Sequence, residues 1–186
     1  MRILVDTCVL YPTVMREVVI GCAAAGLYEV RWSERILEEW ARAARKIGPE
    51  GETLARGEIA AVSARFPGAR VGYAEEQLRQ FWLPDPNDVH VLAAAVTGSC
   101  DAVMTVNVKD FPRDVLAEFD IQRVEPDWFL VQQLEVAPEA VMPVAQAVLG
   151  EARRLSGENW QMRALMKKAR LPRFGKAVDK ILQDRF

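Results

Sequence analysis

The sequence predicts an α/β fold, a mostly parallel sheet flanked by helices, with a helical C-terminal extension. Short apolar runs alternate with stretches of helical periodicity up to about residue 124. The first run, Ile3-Leu4-Val5, is unbroken by polar residues and bounded by Asp6, as a buried parallel strand would be. After Pro126 the strand-like runs cease and helical patterning continues to the end.

Taken in order, Pro12 opens a helix to about Gly26, with Val14, Val18, Val19, Cys22 and Ala25 at helical spacing. Tyr28-Glu29-Val30-Arg31-Trp32 alternates like a second strand. Ser33 is a suitable N-cap for the helix that follows. Gly48-Pro49-Glu50-Gly51 breaks that helix, and another runs from about Glu52 to Arg65 before Phe66-Pro67-Gly68. Residues 70 to 84 show no clear period. Asp85-Pro86-Asn87-Asp88 then starts a helix that Gly98 stops. Ala102-Val103-Met104-Thr105 and Ile121-Gln122-Arg123-Val124 read as strands. In the extension, Pro138, Pro143, Gly157 and Pro172 punctuate the helical pattern.

The chain has 186 residues, enough for one domain, or one domain with a small appendage. At 51% hydrophobic and 27% charged it has material for a core and an ordinary polar surface. No apolar run reaches the ~18 residues of a membrane span. The start is too short and too soon acidic for a secretory signal, so a cytoplasmic location is expected. Cys8, Cys22 and Cys100 lack CxxC spacing and read as reduced, buried thiols, not a disulfide frame or a zinc site. Residues 1 to 150 hold 14 Lys/Arg against 22 Asp/Glu, a balance of −8; residues 151 to 186 hold 10 against 4, a balance of +6. A basic segment beside an acidic one suits a protein that holds a polyanion near bound metal, or else is a solvated helix face.

The candidate functional residues are acidic and fall at strand ends or helix starts. Asp6 ends the first strand. Glu38 and Glu39 lie on the helix after Ser33, ~100° apart, so only one easily joins a cluster. Glu39 shares a stripe with Ile36, Trp40 and Ala43, whereas Glu38 shares a face with Glu34 and could pair with Arg42. Asp85 could cap the helix that Asp88 begins. Asn107 and Asp110 follow the strand ending at Thr105, which could orient water or phosphate or simply be a strand residue. Such positions can meet at the carboxyl edge of an α/β sheet. Carboxylates without a basic partner call for a hard divalent cation. The lone histidine, His90, reads as structural or solvent-facing. There is no Ser/His/Asp set, no Cys/His pair and no Gly-rich phosphate loop, which argues against a nucleotide-binding Rossmann protein.

The segments ILVDTCVLYP, SERILEEW, LPDPNDVHVLAAA and VMTVNVKDFP resemble, in order, the four signature segments of the PIN-domain ribonucleases, and most closely the VapC-type toxins of bacterial toxin–antitoxin pairs. The resemblance covers roughly residues 1–130. Residues 131–186 look like the helical extension of longer members. It implies a PIN-like fold and an endoribonuclease dependent on Mg²⁺, with Mn²⁺ an alternative. It also implies a structured RNA substrate such as tRNA, a cognate antitoxin and homodimerisation. Carried over residue by residue, it makes Asp6, Glu39, Asp88 and Asp110 the catalytic, metal-holding acids, with Asn107 assisting as a ligand. Asn107 stands where many members have Asp, which weakens the case for a tightly held second metal. Two other readings stay open: a nuclease of RNA maturation or of DNA outside any toxin pair, and an inactive RNA-binding module. The basic residues Arg153, Arg154, Arg163, Lys167, Lys168, Arg170, Arg173, Lys176 and Lys180 would be an RNA cradle, an antitoxin surface, or the wet side of packed helices.

Overall fold

A computed structural model describes residues 1–184. The elements are β1 (Arg2–Val5), α1 (Thr7–Leu10), α2 (Thr13–Ala24), β2 (Glu29–Ser33), α3 (Glu34–Ala43), α4 (Gly51–Arg65), β3 (Arg70–Val71), α5 (Val89–Thr97), β4 (Ala102–Met104), α6 (Arg113–Ala117) and β5 (Gln122–Val124). They continue with α7 (Pro126–Val136), α8 (Pro138–Ser156), α9 (Met162–Lys168) and α10 (Pro172–Gln183). Short 3₁₀ turns occupy Ala44–Ile47, Glu75–Gln80 and Pro86–Asp88. The first helix begins sooner than Pro12 suggests. Asp6 breaks the strand, a single turn follows at once, and α2 starts after Pro12.

The chain divides into two compact units. The first comprises residues 1–11 and 28–124. Its five described strands form one parallel sheet in the order β3-β2-β1-β4-β5. Leu4 of β1 pairs with Arg31 on one side and Val103 on the other. The order reverses between β1 and β4, and in open α/β sheets the carboxyl ends of the strands at such a reversal form the binding crevice. Asp6 leaves the end of β1 there, and Thr105 leaves the end of β4; the Asp6 amide bonds the Met104 carbonyl at 3.1 Å.

The core explains why these segments hold. Ile3, Leu4 and Val5 are fully buried, as are Ala102, Val103 and Met104. Such strands read as continuous apolar runs because both faces are covered. Helix α3 buries Ile36, Leu37, Trp40 and Ala41, and Leu92 to Ala95 of α5 are fully buried. Each large apolar side chain so buried contributes roughly 1.5–3 kcal/mol. Ser33 caps α3 as expected, its Oγ accepting from the Ile36 amide at 3.3 Å.

The second unit comprises residues 12–27 and those from 125 onward. It is helical, built from α2 and α7–α10. Two glycines permit close approach of helices. A Cβ on Gly21 would lie 2.5 Å from Val144 Cγ1, and one on Gly175 would lie 2.6 Å from Met166 Cβ. Pro138 and Pro172 open helices, and Gly157 ends α8 with φ +70°, the left-handed conformation glycine adopts without strain. Pro143 instead lies inside α8, where its ring removes one helical hydrogen bond. Asp127 of α7 is buried and accepts from the Arg173 and Phe174 amides at the start of α10, at 3.2 and 2.9 Å. It satisfies donors that a helix start leaves open. Residues 185 and 186 of the expected extension lie outside the described residues.

Candidate functional site

The acidic site lies wholly in the first unit. Asp85, Asp88 and Asp110 each offer a carboxylate oxygen within 4.8 Å of the others. The turn Pro86–Asp88 brings Asp85 and Asp88 together: Asp85 Oδ1 accepts from the Asn87 amide at 2.9 Å and from its side chain at 3.0 Å. Asp110 comes from the loop after β4. Arg123 of β5 secures that loop by donating to the Val108 and Phe111 carbonyls, both at 2.9 Å.

Three carboxylates in this space repel one another. Burial, then the charges of Asp6, Asp85 and Asp110, push the Asp88 carboxyl from its ordinary 3.8 up to about 6. Asn107 relieves part of this, its side-chain amide donating to Asp88 Oδ2 at 3.1 Å. The neutral residue therefore engages the acid group directly, as a hydrogen-bond donor.

Asp6 is buried at the end of β1 and makes no cap bond to the helix it precedes. Its Oδ2 accepts from the Thr105 hydroxyl at 2.7 Å and from the Cys8 thiol at 2.9 Å. Thr105 Oγ in turn accepts from the Asn107 backbone N–H at 3.0 Å, so one hydroxyl links the ends of β1 and β4. Burial, reinforced by the Asp6 charge, raises the Cys8 thiol to about 12. It stays protonated, a donor to Asp6 and not a thiolate ligand.

Glu39 belongs to a neighbouring network. Its Oε2 accepts from the Thr7 hydroxyl at 3.0 Å, and its Oε1 accepts from Arg35 Nε at 3.1 Å. Arg35 also donates to the Asn87 carbonyl at 3.2 Å, tying α3 to the turn that carries Asp88. His90 Nε2 lies 3.0 Å from Glu39 Oε1, close enough to pair with it when the imidazole is protonated. Burial opposes the charge on Glu39, yet His90, Arg35 and Thr7 together hold its carboxyl below the usual range. Glu38 faces elsewhere, paired with Arg42 at 2.9 Å and Arg56 at 3.0 Å. The two glutamates are almost equally exposed, 33% and 35%, so their partners distinguish them, not burial.

The sequence reasoning missed several participants. Thr7 and Cys8 immediately follow Asp6, and their hydroxyl and thiol were the available signal. Asp85 both caps its turn and joins the carboxylate group. His90 is buried at 1% exposure and leans on Glu39, two helical positions from Asp88.

The donor set consists of hard carboxylate oxygens with no thiolate or imidazole among the three acids. It is compatible with a divalent cation of the Mg²⁺ class. The sequence profile of the PIN domain matches residues 2–109, which takes in the sheet from β1 to β4 and every acid of this site except Asp110. The chain belongs to the PIN-domain family. It is also 44% identical over 57 residues to a Mycobacterium tuberculosis protein named "Putative ribonuclease VapC50". That alignment covers 31% of this chain and 34% of the relative, so the chain spans about a third of the relative it matches. No solved structure gives a significant match. No helix among the described residues is long and apolar enough to cross a membrane.

Proposed function

We propose that this PIN-domain protein is a metal-dependent endoribonuclease, the toxin of a toxin–antitoxin pair, with its nuclease domain in residues 1–130. The observation that carries this reading is the convergence of Asp85, Asp88 and Asp110 at the switch point of a PIN-domain sheet, beside a buried Asp6. The partial likeness to a VapC protein supports the toxin assignment. Mg²⁺, or Mn²⁺, is the proposed cofactor. RNA such as tRNA, a cognate antitoxin and a second copy of the chain are the proposed partners.

Asp88, Asp110 and Asp6 would hold the cation, with Asp85 beside them and Asn107 steadying Asp88 by its amide. When bound, the cation supplies charge neutralisation at the phosphate and lowers the pKa of water. Thr105 and Cys8 orient Asp6 by donating to one of its oxygens, which leaves the other for a ligand. Glu39 is held as a carboxylate by Arg35, Thr7 and His90, and Arg35 couples its position to the Asp88 turn through Asn87. These are positioning tasks, and they suit phosphodiester hydrolysis, in which geometry and charge do most of the work.

The deciding experiment incubates purified protein with total RNA in Mg²⁺, Mn²⁺ or EDTA. Discrete cuts with either ion, abolished by EDTA and by Asp6→Asn, are expected. Undiminished cutting in EDTA, with metal content checked, would refute the mechanism.

A further inference from the structure

The segment between the turn Glu75–Gln80 and Asp85 presents an aromatic ring to solvent in a fixed way. Phe81 is extended, with φ −116° and ψ 151°, so successive side chains alternate in direction. Phe81 packs edge-on against Phe119, with ring centroids 5.2 Å apart. Leu83 is buried at 1% exposure. Trp82, held between these two anchors, is 65% exposed. Among the described residues its indole has no ring, cation or hydrogen-bond partner.

An exposed tryptophan forgoes the burial its large apolar surface would otherwise gain. Here the neighbours enforce the exposure. A register in which Trp82 turned inward would bring Phe81 and Leu83 out. The same segment leads directly into the acidic site. Three residues of chain span at most roughly 11 Å, so Trp82 stands within that backbone reach of Asp85, a member of the carboxylate group.

We propose that Trp82 is a stacking platform for an unpaired nucleobase of the RNA, next to the phosphate presented to the acidic site. This rests on the ribonuclease reading and adds the side chain that would hold a base beside the cut. Every base has a π-face, so an indole holds a strand without demanding a sequence. A base in a duplex is stacked on its neighbours and does not offer that face. The carboxylates repel the RNA backbone unless a cation intervenes. A neutral ring beside them binds the strand without adding to that repulsion.

The test uses the full chain carrying Asp6→Asn in Mg²⁺, so that the cation screens the remaining carboxylates and binding is read without cleavage. Its probes are a labelled single-stranded RNA of about twelve nucleotides and the same RNA annealed to its complement. Trp82→Ala is expected to weaken single-strand binding about tenfold, with duplex binding and the salt slope unchanged. Trp82→Phe should retain most of the affinity, and both variants should melt like the parent because the side chain is exposed. Parent-like binding by the alanine variant would overturn the proposal. So would equal loss on both probes, no binding of single strands by the parent, or a change in molecular mass that marks Trp82 as a protein contact. If the parent stacks RNA through Trp82 but cuts nothing with Mg²⁺ or Mn²⁺, the nuclease reading fails and the stacking platform stands.

Discussion

Asp88 is the residue on which the site's electrostatics converge. Its carboxyl is raised to about 6 by burial and neighbouring acids, so the folded chain binds that proton more tightly than the unfolded chain does. Its contribution therefore favours the fold below the ordinary 3.8, declines as pH rises from there to about 6, and stays reduced above. In metal-free protein, Asp88→Asn should flatten that decline and raise the melting temperature at pH 7, while abolishing Mn²⁺ binding. Thermal scans from pH 4 to 8 in EDTA and a Mn²⁺ titration check both; an unchanged pH profile would show that Asp88 is not the strained acid. Glu39→Gln should reduce cleavage by roughly tenfold or more, because it weakens the network with Arg35, Thr7 and His90. Glu38→Gln should leave cleavage near parental, since its partners are Arg42 and Arg56. Single-turnover rates of the two variants compare them directly. The sequence made the acids legible because an ionised group at the end of an apolar strand needs a reason. It could not show which acids share a space. Asp85 and Asp110 meet through a turn and a loop whose paths depend on Asn87 and Arg123.

The helices illustrate which local signals suffice. Ser33 announces α3, and its side chain caps the helix as that pattern implies. Residues 70 to 84 gave no such signal because β3 is two residues long and is followed by 3₁₀ structure. Neither is long enough to display a period. The cap that Asp127 gives α10 was equally illegible, since donor and acceptor lie 47 residues apart. Asp127→Ala should cost about 1–3 kcal/mol by leaving the Arg173 and Phe174 amides unsatisfied. Gly175→Ala should cost a similar amount, about 1–3 kcal/mol, because its methyl would meet Met166. Urea unfolding monitored by circular dichroism measures both. Parental midpoints would mean that neither feature holds the helical unit together.

Across the whole molecule, charge is distributed unevenly, −8 over residues 1 to 150 and +6 over 151 to 186. Lys167, Lys168 and Arg170 are exposed, and the Lys168 ammonium lies 4.7 Å from the Trp160 ring centroid. Replacing all three with Gln should weaken RNA binding and lower its salt slope by roughly 0.7–0.9 for each phosphate no longer neutralised. The single-turnover rate at saturating protein should change little. An unaltered slope would leave this surface as a solvated face or an antitoxin contact. The α/β class and the helical end were readable from periodicity. Which unit α2 joins was not, because amphipathic spacing shows that a face is buried but never against what. That membership has a consequence for synthesis on the ribosome. Gly21 of α2 awaits Val144, and α2 packs chiefly on α8 and α7, which begin at Pro138 and Pro126. At about 5–20 residues per second, α2 emerges with its apolar side uncovered for roughly 6–25 seconds. A nascent chain stalled near residue 125 would display that stripe to chaperones and proteases, and release past residue 150 would hide it.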